Sequence, residues 1–318
     1  MTLSLFRRPI AVGRHRTFKL ACGLAIAAGL GLVGRLAFEL TALNAAPAPP
    51  TGALPRPRSG GALVINGGGK LTEEVRDRFL ELAGGPDARI VLIPTARSVS
   101  ADATDPEKDL EPWKARGIAS VRLLHTRSRA TADDPDFAGP LAEATGVWIG
   151  GGSQTRLSEA YAGTEVERQL KLLLDRGGVV GGSSAGAAIM TRVMIASGRK
   201  DPIEGRGFDF LPGAVVDQHF LKRNRIGRLT KLLERHPDLI GFGIDEQTAL
   251  VVGVRDLRIS VVGDSYVVAC LPASKERPAR YQVLKQGDET DLAALRTLEP
   301  SVIPSIDLGE IVSSKPGL

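Results

Sequence analysis

Two adjacent serines stand between glycine pairs in VVGGSSAGAAIM, Val179 to Met190. Its centre, Gly182-Ser183-Ser184-Ala185-Gly186, is a GxSxG pattern, preceded by an apolar strand-like run and followed by an alanine-rich helix-like one. In that context small neighbours permit a sharp turn that presents the Ser184 hydroxyl beyond the strand end. The next amide, that of Ala185, is then placed to donate to an oxyanion at the start of the helix. From the pattern alone, close strand–helix packing explains the glycines equally well.

A serine hydroxyl is a weak nucleophile until a base takes its proton, and histidine is the usual base. Beyond the first sixty residues the chain has His125, His219 and His236. His125 ends an apolar run before a polar loop. His236, in ERHPDL, falls at a helix end, where a cation faces the negative pole of the dipole. His219, in VVDQHF, follows an apolar strand, at the edge where parallel sheets gather their sites. It is the first candidate. IGFGIDEQTALVV then supplies Asp245 and Glu246 after the next apolar run, as carboxylates to orient the imidazole. The order serine, histidine, acid differs from the serine, acid, histidine of ordinary α/β-hydrolases. It counts against a lipase or esterase.

The elements that must carry these groups alternate along the chain. ALVIN, RIVLIPTA, GIASVRLLHT, GVWIGGG and VVGG read as buried strands. Between them LTEEVRDRFLELAGG, the segment Glu107 to Arg116 and QTRLSEAYAGTEVERQLKLLLDRGG read as helices, the last as one continuous stretch. GAVVDQHF is a further strand, running into the basic helix of KRNRIGRLTKLLERHPDLIG. The alternation predicts an α/β fold of three layers, a mostly parallel sheet with helices on both faces. After Ile244, the runs TALVV, LRISVVG, SYVVACL and RYQVLKQG predict a short antiparallel C-terminal extension of the same domain. Cys270, in YVVAC, reads as a buried strand residue. GGGK, Gly67 to Lys70, lacks the phosphate-loop spacing and reads as a structural glycine turn.

At 318 residues and 43% hydrophobic content the chain can bury a sizeable core. Its formal charge of +5 comes from the first 58 residues, which hold eight basic side chains against Glu39 alone. The remaining 33 basic and 35 acidic residues nearly balance, which removes the main support for nucleic-acid binding. Leu20 to Gly34, LACGLAIAAGLGLVG, is an apolar run behind positive charge, as in a signal peptide or an N-terminal membrane anchor. Residues 1–45 are therefore expected to direct export to a periplasmic or extracellular location, with any membrane attachment confined to that segment. Residues 46–60, rich in Pro and Ala, are expected to form a tether, and 61–318 the folded domain. Two cysteines, Cys22 and Cys270, give neither a disulfide framework nor a CxxC pair, and no metal-ligand spacing is present. No cofactor is implied. A homodimer is left open.

GGSSAGAAIM, VVDQHFLKRNRIGRL and GFGIDEQTALVV resemble the cyanophycinases and the related aspartyl dipeptidases, serine peptidases with a class I glutamine amidotransferase-like sheet. VINGGG, VLIPTA and WIGGGSQTRL extend the resemblance upstream, from about Gly61 to Val268. It implies Ser184 as nucleophile, His219 as base and Glu246 as acid, with Glu204 the alternative carboxylate. It further implies Gly152 as a second oxyanion-hole amide beside Ala185, and Gln154 as a substrate-site residue. Arg223, Arg225 and Arg228 fall at the family's arginine positions, where forked donors suit the carboxylates of a peptide or cyanophycin-like polymer. Asp217 and Gln218 are placed either to bind the substrate's cationic groups or to shape the turn. Ser183 replaces the family's usual Thr, and Ser153 its common Asp. The second change weakens the expectation of strict preference for the arginine-bearing polymer. The implied reaction is hydrolysis of cyanophycin to β-aspartyl-arginine dipeptides, with an aspartyl or isoaspartyl dipeptidase and a non-catalytic anchored binding protein as alternatives.

Overall fold

The computed structural model describes residues 60–98, 106–273 and 278–297. They belong to one compact unit of the chain. The expected leader and nearly all of the tether lie outside the described residues. Among the described residues no helix is long and apolar enough to cross a membrane.

The first half follows the expected alternation: β1 (Ala62–Asn66), α1 (Glu73–Leu82), β2 (Arg89–Ile93), α2 (Pro106–Lys114), β3 (Ser120–Leu123), α3 (Arg129–Ala132), α4 (Pro135–Glu143) and β4 (Gly146–Ile149). Next come α5 (Gln154–Tyr161), α6 (Glu165–Asp175), β5 (Val179–Ser183) and the one-turn α7 (Ala185–Ala188). β1 to β5 pair in parallel, in the order β1-β5-β4-β2-β3.

Strand β1 shows why the run is apolar from Ala62 to Ile65. Leu63 and Ile65 enter one core, with Leu141, Leu157 and Leu170 from α4, α5 and α6. Ala62 and Val64 enter another on the opposite face, with Val75, Phe79 and Trp113 from α1 and α2. Successive strand residues point to opposite faces, so a sheet covered on both sides favours a near-continuous apolar run. Phe79 and Trp148 meet edge to face at 5.1 Å. A side chain at Gly181 would strike that indole, 2.4 Å from its nearest atom.

The helix expected to run unbroken from Gln154 is interrupted. Gly163 has φ 77°, and Thr164 restarts the helix as α6, with its hydroxyl donating to the Tyr161 carbonyl (2.7 Å). Glu167 Oε2 accepts the Gly163 amide (2.6 Å). The TEVE sequence carries a threonine with glutamate three residues on, the mark of a helix start.

The second half departs further. Strands β6 (Val193–Ser197) and β7 (Ile203–Arg206) make a separate hairpin. β8 (Ala214–Gln218), α8 (Ile226–Arg235) and β9 (Ile240–Ile244) follow, then β10 (Thr248–Gly253), β11 (Arg258–Gly263), β12 (Tyr266–Leu271), β13 (Arg280–Lys285), β14 (Glu289–Asp291) and α9 (Leu292–Thr297). The antiparallel extension is present but divided. β10, β11 and β14 extend the large sheet beyond β1, giving eight strands, while β13-β12-β9-β8 form a second sheet of four. Ala214 and Val216 of β8 face the main core, and Val215 faces a third core with Leu229, Leu232 and Leu233 of α8. The chain passes from the second sheet to the first between Ile244 and Thr248. Cys270 is buried on β12, as expected.

Candidate active site

Ser184 begins the turn between β5 and α7 with φ 54° and ψ −106°, a conformation that costs a residue with a Cβ about 1–3 kcal/mol. The flanking glycines let backbone approach backbone. A Cβ on Gly182 would lie 2.5 Å from the Gly186 carbonyl oxygen, and one on Gly186 would lie 2.1 Å from that of Ile149. Close packing and presentation of the hydroxyl are therefore the same device.

His219 follows β8 with φ 50°. Its Nε2 lies 2.8 Å from Ser184 Oγ, and its Nδ1 lies 2.6 Å from Glu246 Oε1. Hydroxyl, imidazole and carboxylate thus form a continuous hydrogen-bonded line. The imidazole is buried, and loss of solvation holds its pKa below the ordinary 6.5, against the opposing effect of the hydrogen bond it donates to Glu246. Arg223 and Arg225 push in the same direction as burial.

The Asp245-Glu246 pair divides its work. Asp245 is buried, accepting the Lys222 amide (2.9 Å) and the Ser265 hydroxyl (2.8 Å), and so ties the turn after His219 to the second sheet. Glu204, the alternative acid, contacts His236 Nε2 at 2.9 Å and Arg235 at 3.0 Å, at the far end of α8. His236 sits at the C-cap of α8, the helix-end position read from the sequence. His125 contacts the Thr95 hydroxyl at 2.8 Å.

The glycine turn after β1 proves to be part of this site. A Cβ on Gly68 would lie 2.3 Å from His219 Cε1, and one on Gly69 3.0 Å from Glu246 Cβ. Both residues have positive φ, 115° and 72°. Nothing in the sequence singled this turn out as a wall for the imidazole, because the partners are 151 and 177 positions further along. The same end of β1 places Asn66 beside Ser183.

Gly152, at the exposed turn after β4, has φ 142°, and a Cβ there would lie 2.1 Å from the Ala96 carbonyl oxygen. Its neighbour Gly151 lies against Ser184, with a built Cβ 3.4 Å from the serine's own. The amide of Ala185 follows the nucleophile directly. Both expected oxyanion-hole donors are thus on chain segments bordering Ser184.

Two residues expected at the substrate site pair with each other. Asp217 and Arg228 are buried and bonded to each other in a forked pair, with Arg228 Nε donating to Asp217 Oδ2 at 2.9 Å and its Nη2 to Oδ1. Arg228 Nη1 also donates to the Gly198 carbonyl, joining α8 to the β6–β7 connection. Neither side chain is open to a ligand; a buried carboxylate needs such a partner to remain in place. Gln154 is buried too, with Nε2 donating to the Ile195 carbonyl at 2.7 Å. Gln218 is buried with its Oε1 unpartnered among the described residues. Arg223 is exposed and Arg225 half-buried, its Nη1 donating to the Gln218 carbonyl at 2.5 Å. Burial pushes the Arg225 guanidinium down to about 10, so it remains cationic at neutral pH.

A large, mostly parallel sheet with a serine on a strained turn against a histidine and a carboxylate belongs to a serine-type peptidase, and this chain is one. Residues 62–260 match Peptidase family S51, and the chain belongs to that family. A cyanophycinase of Geminocystis herdmanii (strain PCC 6308) is 34% identical over 203 residues, 61% of this chain and 74% of the relative. A cyanophycinase of Synechococcus elongatus is 36% identical over 201 residues, covering 59% of this chain and 61% of the relative. The crystal structure of a peptidase from an acI-B1 Actinobacterium, 24% identical, has a TM-score of 0.55 and covers 74% of this chain and 98% of its own. That likeness supports the fold.

Proposed function

We propose that this peptidase is cyanophycinase-like, cutting an arginine-bearing aspartate polymer into β-aspartyl-arginine units with Ser184, His219 and Glu246 as its triad. The observation that carries the mechanism is the hydrogen-bonded line from Ser184 Oγ through the His219 ring to Glu246 Oε1. The substrate class rests on the cyanophycinase relatives together with the two arginines that border the base.

The imidazole, kept neutral by burial, takes the Ser184 proton as Oγ attacks the carbonyl of an aspartyl peptide bond. Glu246 fixes the tautomer that leaves Nε2 as acceptor and stabilises the imidazolium that forms. The amides of Gly152 and Ala185 hold the oxyanion. His219 then gives its proton to the leaving amine, and water attacks the acyl-serine with His219 again as base. Arg223 and Arg225 receive carboxylates of the polymer, for which a forked cation is suited. The basic leader and the apolar run Leu20 to Gly34 support an exported enzyme, acting on polymer outside the cytoplasm.

The test is incubation of the purified chain with cyanophycin and, separately, with α- and β-linked aspartyl dipeptides, with products identified by mass. Release of β-aspartyl-arginine by the wild type and its loss in Ser184→Ala support the proposal. Turnover of the dipeptides alone would replace the substrate; turnover by Ser184→Ala would remove the mechanism.

A further inference from the structure

Three consecutive carbonyls at the end of β1 reach the three segments that carry the site. That of Asn66 accepts the Ser184 amide (3.0 Å), that of Gly67 the His219 amide (2.7 Å), and that of Gly68 the amide of Gln247, next to Glu246 (2.9 Å). Asn66 adds a side-chain contact to this backbone clip. It sits in register with Ser183 on β5, and its Nδ2 donates to Ser183 Oγ at 3.1 Å.

Asn66 is an expensive residue for its place. It is fully buried in a central strand, a position that favours branched apolar side chains. Its Oδ1 has no hydrogen-bond partner among the described residues, and a buried polar atom left unpaired is destabilising. Packing and stability would both be better served by valine. What the amide does supply is a second hold on the segment entering the strained Ser184 turn: carbonyl to the Ser184 amide, side chain to the preceding hydroxyl. A strained backbone persists only where its surroundings over-determine it.

We propose that Asn66, acting through the Ser183 hydroxyl, is a positioning residue for the nucleophile, holding the Ser183–Ser184 peptide so that Oγ is aimed at His219. This rests on Ser184 being the nucleophile. Asn66 does not touch the reacting atoms. Its effect is on the fraction of time the hydroxyl spends in reach of the imidazole, and so on reactivity rather than substrate affinity.

The experiment measures inactivation of the full chain by a fluorophosphonate, which reports nucleophile reactivity without a choice of peptide substrate, together with thermal unfolding. The wild type should be labelled at Ser184. Asn66→Val and Ser183→Ala should each slow labelling by about tenfold, a modest share of what an ångström of misplacement costs. Asn66→Val should unfold no earlier than the wild type, and Ser183→Thr, which keeps the hydroxyl, should restore the rate that Ser183→Ala loses. The double variant should be no slower than either single one, since both remove one contact. Wild-type labelling rates in Ser183→Ala would overturn the proposal, as would a loss in Asn66→Val that follows only lowered thermal stability. If Asn66→Val does not fold, the Ser183 pair decides. A wild type left unlabelled at Ser184 is a different failure, that of the nucleophile assignment, and takes this proposal with it.

Discussion

Ser184 Oγ and His219 Nε2 stand 2.8 Å apart although the strands that deliver them belong to different sheets. β5 ends in the eight-stranded sheet and β8 in the four-stranded one, and the turn Gly67–Gly69 after β1 packs against the His219 ring and Glu246. Gly68→Ala places a methyl group 2.3 Å from His219 Cε1, at a φ that also disfavours it. The imidazole must then shift from its place between Ser184 and Glu246. We expect kcat to fall by about 10²-fold, the scale of an ångström-sized displacement, with the protein still folded by circular dichroism. Unchanged turnover would show that the ring is held by something else.

The pH dependence follows from the direction of the His219 shift. Burial lowers its pKa, so the neutral form needed for proton transfer persists below the ordinary value of 6.5. The acidic limb of kcat/KM should therefore have its midpoint below 6.5. Glu246 raises the His219 pKa and Arg223 lowers it. Glu246→Gln should shift the limb to still lower pH, and Arg223→Ala should shift it upward. Arg223→Ala should also raise KM for a substrate that presents carboxylates.

The two carboxylates proposed from the sequence are separable by kinetics. Glu246→Gln should lower kcat by roughly 10⁴-fold, as the loss of a triad carboxylate does elsewhere. Glu204→Gln breaks contacts to His236 and Arg235 at the distal end of α8 and should leave kcat near the wild-type value. The opposite ranking in steady-state assays would exchange their roles.

Asp217 and Arg228 should affect stability before binding. Asp217→Ala leaves the Arg228 guanidinium buried without its counter-charge, a loss of about 3–5 kcal/mol. Denaturant unfolding should show it. Arg223→Ala, on an exposed side chain, should leave the unfolding midpoint unchanged. A stable Asp217→Ala protein with a raised KM would instead return Asp217 to the substrate site.

Much of this protein was legible in its residue order. The central parallel strands were readable because a strand buried on both faces runs nearly continuously apolar, as in β1, β2 and β4, and the GxSxG turn because only glycine fits where a Cβ would meet a carbonyl oxygen at 2.1–2.5 Å. Ser184, His219 and Glu246 were each marked by chemistry at the end of an apolar run. The break at Gly163 carries its own signal in Thr164 and Glu167, which the apolar spacing continuing on either side of it masks.

Residue order determined which groups could react and which segments could form strands or helices, since both depend on neighbours a few positions away. It could not determine that the later strands divide between two sheets, that Asp217 is spent on Arg228, or that the Gly67–Gly69 turn walls in the imidazole. Those outcomes depend on contacts between segments far apart in the chain, where burial, not local pattern, decides which polar groups pair with each other and which remain at the surface. Tertiary structure made that choice, turning Asp217 and Arg228 inward and leaving Arg223 facing solvent near the base.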